Sequence, residues 1–371
     1  MPETLHLPPL IDPHVHLREP GTNRAETIAS GTLAAALGGY ALVADMPNNP
    51  GRPTWSSDRV REKQFIARKD AHTLMAVNAG AQPEADNIGE IAGMMELSVA
   101  LKGYGGPTTG IERKDDYEAQ EFEPIIAELH RVAPDKPFLF HAGQDNLASM
   151  IGLVAGKYNH HIHVCHVNDP AQVDIVDTVR KHRDLPVTCG VCPHHILKDS
   201  HDRMTEGKFA EMQPPLADQP DAEKLMRYLA DGKIQIIESD HAPHSKDAKR
   251  EAEAAGSSCF GVPGIEHVVS LMLYQVKRGT ITHERLIDAM STQPAELFGL
   301  QLSLTGTTWE LVDGRIESEE DIISGAGWTP YLGMNTYGKL IESKVAGRMV
   351  YVNGHAGPQG YEPIRDRGEV V

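Results

Sequence analysis

Residues Leu7–Arg18, which read LPPLIDPHVHLR, decide how the rest of the chain is interpreted. The apolar run Leu7–Ile11 predicts a short buried strand, and side chains two residues apart on a strand point to the same side. His14 and His16 can therefore bind one metal ion from one strand end, through neutral imidazole nitrogens. By itself a His-x-His pair is weak evidence in a chain with 19 histidines, because most of them are expected to be structural.

Short β-rich runs alternate with amphipathic helical runs over the first three quarters of the chain. This alternation indicates βαβ units and a parallel sheet, and eight such units close most naturally into a barrel. We therefore predict an α/β fold in which residues 1–302 form a (β/α)8 TIM-type barrel with covering helices. The predicted strands are Leu7–Asp12, Tyr40–Met46, Thr73–Ala79, Val99–Tyr104, Phe138–His141, His161–Val167, Pro186–Val191 and Ile234–Ser239.

Residues 303–371 predict a small C-terminal β appendage followed by a tail. Trp309–Glu317 and Ala346–Gly354 are typical of short antiparallel strands, joined by Asp-Gly and Asn-Gly turns. The chain begins almost directly at the first predicted barrel strand, so we expect little N-terminal material to join the appendage. Gly357–Val371 predicts a polar, weakly ordered tail.

Composition excludes several classes of function. The chain has 371 residues, 40% of them hydrophobic, which is enough for a sizeable core. Its formal charge is −17, so we expect neither a nucleic-acid nor an anionic-membrane partner, whereas an anionic small molecule is not excluded. We find neither a signal peptide nor a bilayer-spanning apolar run. Four cysteines are too few for a disulfide framework, which favours a reducing cytoplasm.

The candidate metal ligands fall at the C-terminal ends of different predicted strands. In a parallel barrel these ends share one mouth, where active sites of this fold lie. Any one of these residues is more often structural, but their joint placement is difficult to explain without a function. They are His14 and His16 on the first strand, Lys102 on the fourth, His141 on the fifth, His166 on the sixth and Asp240 on the eighth.

Lys102 stands inside the apolar run Ala100-Leu-Lys-Gly. An unpaired buried ammonium costs several kcal/mol, so the residue is either ion-paired or snorkelling, or it has a function. In the functional interpretation its neutral amine adds carbon dioxide. The resulting carbamate is an anionic oxygen ligand that can bridge two metal ions.

With these residues together, the chain resembles the dihydroorotases of the amidohydrolase superfamily. The resemblance is to the type that carries Asp-x-His-Val-His-Leu-Arg-Glu-Pro-Gly, and it extends almost to the C-terminus. The matching segments, in order, are Ile11–Gly21, Met46–Asn48, Leu101–Tyr104, His141-Ala, His163–Val167, Cys192–His195, Ser239–His244, Gly261–Glu266 and Trp328–Tyr331.

The resemblance implies a centre with two zinc ions in each subunit. His14, His16 and Asp240 would hold the first ion, and His141 and His166 the second. Carbamylated Lys102 and a hydroxide would bridge them, which lowers the pKa of the water and polarises the attacked carbonyl. Asp240 would act as general base and acid, in reversible cyclisation of N-carbamoyl-L-aspartate to (S)-dihydroorotate in pyrimidine biosynthesis. The alternative for Asp240 is a capping or surface aspartate.

Five further residues are candidate substrate contacts. Arg18 lies two residues beyond His16, and a guanidinium fork suits a carboxylate, although a surface salt bridge is the alternative. The others are Asn48, His244 and the loop residues Thr108 and Thr109, whose structural alternatives are a turn, a structural histidine and a solvated loop.

Several positions depart from the family pattern. Gly190 stands where relatives commonly carry glutamate, Gly143 where an acidic residue is frequent, and Gln213 where Asn or Arg is usual. These changes affect the expected substrate more than the expected metal centre. Cys165, Cys189 and Cys192 either form a further soft metal site or, more commonly for cysteines in apolar strands, are buried as small hydrophobic residues.

Two alternatives remain open. Another cyclic amidohydrolase, such as a hydantoinase, dihydropyrimidinase or allantoinase, shares the metals and the carbamate, but its substrate need not have the carboxylate that Arg18 suits. A catalytically silent dihydroorotase-like scaffold of aspartate transcarbamoylase would be expected to lack metal ligands. The resemblance also leaves open a homodimer and association with aspartate transcarbamoylase.

Overall fold

The computed structural model describes residues 2–23, 25–111, 115–143, 145–301, 306–345, 348–352, 355–357 and 359–361. Its strands are β1 (Thr4–Leu7), β2 (Leu10–Val15), β3 (Tyr40–Asp45), β4 (Leu74–Gly80), β5 (Ala100–Tyr104), β6 (Phe138–His141), β7 (Ile162–Val164), β8 (Val187–Val191), β9 (Ile236–Ile237), β10 (Thr307–Arg315), β11 (Asn335–Val345), β12 (Arg348–Val352) and β13 (His355–Ala356).

The α-helices are α1 (Ile28–Leu37), α2 (Ser57–Asp70), α3 (Ile91–Met95), α4 (Ala119–Val132), α5 (Leu147–Ile151), α6 (Pro170–Arg183), α7 (Pro193–Leu197), α8 (Ser200–Glu206), α9 (Gln219–Ala230), α10 (Lys246–Ala255), α11 (Val268–Lys277), α12 (His283–Ile287) and α13 (Gln293–Phe298). Wider π-helical turns at Gly152–Lys157 and Asp288–Thr292 continue α5 and join α12 to α13. Short 3-10 turns cover Pro83–Ala85, Ile88–Glu90 and Gly207–Ala210.

Strands β2 to β9 form one eight-stranded sheet in chain order, and every neighbouring pair is parallel. After β9, His241 forms a parallel bridge with Val15 of β2, which brings the two ends of the sheet together. The nearly closed barrel confirms the predicted (β/α)8 TIM-type fold.

The barrel strands and helices bury their apolar residues against each other. Every residue of β3 and β4 is buried, as expected for strands covered on both faces. Helix α4 shows the complementary pattern, because Phe122, Ile125 and Leu129 recur at helical spacing on its buried side.

The first predicted strand was misplaced by three residues. The barrel strand is Leu10–Val15, whereas Thr4–Leu7 pairs antiparallel with β10 in the second sheet. Pro8 and Pro9 explain the break, since proline has no N–H group to donate to a sheet. The N-terminus therefore supplies one strand of the appendage, which the sequence analysis did not foresee.

The appendage is an antiparallel sheet with the order β1-β10-β11-β12-β13. The predicted turn at Asp313-Gly314 is wrong, because both residues lie within β10 and pair with Tyr337 and Thr336 of β11. The predicted Asn353-Gly354 turn and most of the predicted tail, residues 362–371, lie outside the described residues. Tyr361, in the described part of that tail, is 4% exposed, and the weak order of the tail stays a prediction.

Trp309 of β10 joins the appendage to the barrel core. The turn between α1 and β3 makes room for this ring, because a Cβ at Gly39 would lie 2.5 Å from Cζ2 of Trp309. Gly39 also has a φ of +86°, so both its conformation and its surroundings require glycine. The division at residues 302 and 303 stays a prediction. In the described part of the chain, no helix has the length and apolar character needed to cross a bilayer.

Candidate metal centre

His14, His16 and Asp240 meet at the mouth of the barrel. His14 is part of β2, His16 follows it, and Asp240 follows β9. Oδ1 of Asp240 lies 3.0 Å from Nε2 of His16 and 3.4 Å from Nε2 of His14. Two ligand atoms bound to one tetrahedral zinc ion at ~2.0–2.1 Å are about 3.4 Å apart, so these three side chains fit a common cation.

His141 and His166 form a second pair of imidazoles beside the first. Nδ1 of His141 lies 3.0 Å from Nε2 of His166, again a separation that suits two ligands of one ion. The rings of His14 and His166 are 5.0 Å apart between centroids, so the two groups are adjacent. The structure thus brings together the five histidine and aspartate residues that the sequence analysis selected.

Lys102 lies in the middle of β5, and its side chain is 0% exposed. Its Nζ atom is 2.9 Å from Sγ of Cys165 and 5.2 Å from the centre of the Tyr104 ring. The charge of Lys102 contributes to lowering the pKa of His141, after burial as the larger cause. The amine is therefore close to the histidine cluster and excluded from bulk solvent. The carbamate itself stays a prediction.

Three of the four histidines favour the neutral form that metal binding needs. Burial lowers the pKa of His16 and of His141 to about 3, and it lowers that of His166 well below its ordinary value. Burial and Lys102 also act to lower the pKa of His14, but Glu238 and Asp240 outweigh them and raise it to about 10. In the metal-free protein, His14 therefore carries the proton.

Asp240 has the opposite shift. Burial acts to raise its pKa, but the charge of His14 and the hydrogen bond from His16 outweigh burial and hold the pKa below its ordinary value. The carboxylate is ionised at neutral pH, as a metal ligand or a proton acceptor must be.

Arg18 lies at the wall of the cavity that contains the two histidine pairs. The side chain is 1% exposed, and its Nε and Nη1 atoms find no hydrogen-bond partner among the described residues. Buried N–H groups without a hydrogen-bond partner are costly, so the placement of this guanidinium indicates an anionic ligand. The backbone of Arg18 is in the left-handed region, with a φ of +62°, and this conformation helps to set the direction of its side chain.

Three of the four other candidate substrate contacts line the same cavity, and the fourth, His244, lies behind its wall. Asn48, Thr108 and Thr109 line it, and Nδ2 of Asn48 donates to the carbonyl of Thr109 at 2.8 Å. His244 instead donates from Nε2 to the carbonyl of Phe260 at 2.8 Å. Because Phe260 lines the cavity, His244 supports the cavity wall in this structure.

Sequence reasoning missed Glu238, which lies two residues before Asp240. It is 1% exposed and accepts a hydrogen bond from Nδ1 of His14 at 3.2 Å. An acidic residue in the apolar run Ile236-Ile-Glu-Ser-Asp was the available signal. Asp12 has no role that the sequence alone predicts, and its Oδ1 accepts from the backbone N–H groups of His14 and Ser239 at 3.1 and 3.2 Å.

Both glycines that depart from the family pattern have a carboxylate in the space that a side chain would take. A Cβ at Gly190 would lie 2.6 Å from Oε1 of Glu238, and a Cβ at Gly143 would lie 2.2 Å from Oδ2 of Asp116. A carboxylate from elsewhere in the chain thus lies beside each of the two glycines. Gln213, the third departure, lines the cavity.

The three cysteines do not share one site. Cys189 packs in the hydrophobic core, and Cys165 contacts Lys102. Ligand atoms of Cys192, His194 and His195 lie within 4.8 Å of one another. Nε2 of His195 is already bonded to the carbonyl of Pro214 at 3.0 Å.

Comparisons with known proteins identify the family of this chain. The amidohydrolase family model matches residues 5–304. The dihydroorotase of Lactiplantibacillus plantarum is 31% identical over 93% of this chain and 86% of its own length.

Two solved structures share the fold. The L-hydantoinase (dihydropyrimidinase) from Arthrobacter aurescens has a TM-score of 0.84 at 20% identity, covering 97% of this chain and 87% of that one. The inactive dihydroorotase-like domain of a Chaetomium thermophilum CAD-like multifunctional protein has a TM-score of 0.76 at 20% identity, covering 96% and 98%. At these identities the structural matches bear on the fold alone, whereas the family match and the dihydroorotase relative bear on the sequence. The chain belongs to the amidohydrolase family, and within it to the dihydroorotases.

Proposed function

We propose that this protein is a metal-dependent dihydroorotase, which reversibly cyclises N-carbamoyl-L-aspartate to (S)-dihydroorotate. The observation that carries this proposal is Arg18, a buried guanidinium with two nitrogens that lack partners among the described residues. It lies in the same cavity as the histidine and aspartate cluster. Both dihydroorotate and carbamoyl aspartate have a carboxylate that such a fork binds.

The proposed cofactor is a pair of zinc ions. His14, His16 and Asp240 would hold one ion, His141 and His166 the other, and the carbamate of Lys102 would contribute to both. When bound, the ions would polarise the amide carbonyl and lower the pKa of water at the site. The short distances between these ligand atoms and their burial support the proposal.

Asp240 is the proposed general base and acid. Its carboxylate would accept the proton of the attacking water and return it to the departing ring nitrogen during hydrolysis. In the cyclisation direction it would take the proton from the carbamoyl nitrogen that attacks and give it to the oxygen that leaves the carboxyl carbon as water. The lowered pKa of Asp240 supports its starting state as an ionised acceptor.

The remaining contacts would orient the substrate. We propose that Asn48, Thr108 and Thr109 contact it together with Arg18. The Oδ1 atom of Asn48 finds no hydrogen-bond partner in the described parts of the chain and is available to an N–H group. His244 would act through Phe260, whose carbonyl also accepts from Oγ1 of Thr109 at 3.3 Å.

The test is an assay on protein of measured metal content with three substrates: dihydroorotate, carbamoyl aspartate and a neutral hydantoin. The proposal predicts turnover of the first two and little of the third. Hydantoin hydrolysis without dihydroorotate hydrolysis would favour another cyclic amidohydrolase. Metal-loaded protein that turns over none of them would favour the silent scaffold instead.

Partner proteins are a further proposal. A homodimer and an association with aspartate transcarbamoylase follow only from resemblance. The latter is favoured by the resemblance to the multifunctional protein CAD of Squalus acanthias, which is 31% identical over 96% of this chain and 15% of its own length. Copurification of the chain with aspartate transcarbamoylase from the native cell would test it.

A further inference from the structure

We propose that Glu238 positions the metal ligands His14 and His166, and that residue 190 is glycine because the Glu238 carboxylate occupies the space of its side chain. This inference rests on the metal centre of the proposed function. It concerns how that centre is held in shape, and its test needs no substrate.

Glu238 is a buried carboxylate that contacts three histidines. Oε2 lies 3.2 Å from Nδ1 of His14 and 3.6 Å from Nε2 of His163, and Oε1 accepts from the backbone N–H of His166. A buried carboxylate is costly without such partners, so its side chain conformation is determined by them. One candidate ligand of each metal ion is therefore bonded to Glu238.

The contact with His14 determines which ring nitrogen faces the centre. An ionised carboxylate only accepts hydrogen bonds, so Nδ1 of His14 must carry the hydrogen. The opposite nitrogen, Nε2, lies 3.4 Å from Oδ1 of Asp240, on the side of the candidate metal site. Carboxylates that orient metal-binding histidines in this way change metal affinity by about 10- to 100-fold when they are removed.

The contact with His166 acts on the backbone. His166 has a φ of +37°, in the left-handed region that residues other than glycine rarely adopt. Its N–H donates to Oε1 of Glu238, which stabilises this conformation and with it the direction of the ring. Glu238 thus acts on the second ligand pair, His141 and His166, through the main chain of His166.

Gly190 leaves space for the Glu238 carboxylate. It lies in β8 beside Ile236 of β9, and no positive φ requires a glycine there. A Cβ at this position would lie 2.6 Å from Oε1 and 2.7 Å from Cδ of Glu238. Any larger residue at position 190 must displace the atoms that bond His166. Glycine within a strand commonly marks such a close approach.

The experiment compares metal affinity and ligand geometry in four variants: Glu238→Gln, Glu238→Ala, Gly190→Ala and the double variant Gly190→Ala/Glu238→Ala. Chelator competition measures the dissociation constants, and the absorption spectrum of the Co²⁺-loaded protein reports coordination. Thermal unfolding of the metal-free proteins checks the fold. Gly152→Ala is the matched control, because a Cβ there meets nothing within 4 Å.

We expect Glu238→Gln to weaken metal binding by about 10- to 100-fold and to change the Co²⁺ spectrum. Gly190→Ala should do the same although it removes no polar group. In the Glu238→Ala background, Gly190→Ala should weaken metal binding little further, because the carboxylate that would clash with the new Cβ is no longer present.

Wild-type metal affinity and Co²⁺ spectrum in Glu238→Gln would overturn the inference. So would a double variant in which the two losses of metal affinity simply multiply. If Gly190→Ala fails to fold, the metal affinity and Co²⁺ spectrum of Glu238→Gln alone decide whether the inference stands. Normal metal binding without dihydroorotate turnover would instead refute the proposed function and leave this inference standing.

Discussion

Nε2 of His16 lies 3.0 Å from Oδ1 of Asp240, although 224 residues separate them along the chain. The two side chains come from the two ends of the barrel sheet, which meet where Val15 forms a bridge with His241. Closure of the barrel therefore assembles the candidate metal site. A fold in which β2 and the end of β9 did not meet could not bring these ligands together.

Asp240→Asn should lower kcat by about 10²- to 10⁴-fold, because the amide keeps the shape but cannot accept the proton. Steady-state kinetics with dihydroorotate and carbamoyl aspartate would measure the loss in both directions. Asp174→Asn, at a half-exposed aspartate of α6, is the control and should retain activity. Retention of more than a tenth of wild-type kcat in Asp240→Asn would argue against its proton-transfer role.

Arg18→Met should lower kcat/KM for dihydroorotate by about 100-fold, since hydrogen bonds to charged groups contribute about 1.5–3 kcal/mol each. Activity on a neutral hydantoin, where it is measurable, should change little. The variant should also unfold at a higher temperature than wild type without substrate, because a costly buried charge has been removed. Equal losses on charged and neutral substrates would show that Arg18 does not recognise a carboxylate.

Metal binding should release close to one proton from His14. Its pKa of about 10 means that the metal-free protein holds this proton at neutral pH, whereas a metal-bound imidazole does not. Metal affinity should therefore increase as pH rises toward about 10. Calorimetric titrations in buffers of different ionisation enthalpy would count the protons. Metal uptake with no proton release at pH 7 would contradict the protonated state of His14.

Acid should destabilise the protein partly through His160, which precedes β7, whereas the candidate metal ligand His166 follows that strand. Burial lowers its pKa to about 4, so the unfolded chain binds a proton that the folded chain does not between pH ~6.5 and about 4. The free energy of unfolding should fall as pH falls through this window, by up to about 3 kcal/mol from this residue. His160→Phe should reduce that loss in denaturant titrations at several pH values. The control is His201→Gln, at a histidine that is exposed in the folded state; equal pH dependence in His160→Phe and wild type would count against the assignment.

The barrel and most of the candidate site could be predicted because their signals are local. Apolar strands alternate with helices, and residues such as His14, His141 and Asp240 mark strand ends. The turn expected at Asp313-Gly314 failed because pairing between β10 and β11 extends through it. Local turn propensity is weaker than the hydrogen bonds of a paired strand.

Glu238 could not be assigned from sequence, because its role depends on contacts across the barrel. Its partners His14 and His166 are 224 and 72 residues away. The glycine at position 190 is interpretable only when the neighbouring strand is in place. His244 shows the same dependence, since its hydrogen bond to Phe260 is set by how two loops fold together.

The most direct test of the paired-metal centre is the metal content of the wild type beside that of Lys102→Ala, both purified with bicarbonate and without chelator. Elemental analysis should give close to two metal ions per wild-type chain. The variant should lose most of this metal and nearly all turnover of dihydroorotate. Lys102→Ala protein with unchanged metal content and rate would contradict the bridging role of Lys102.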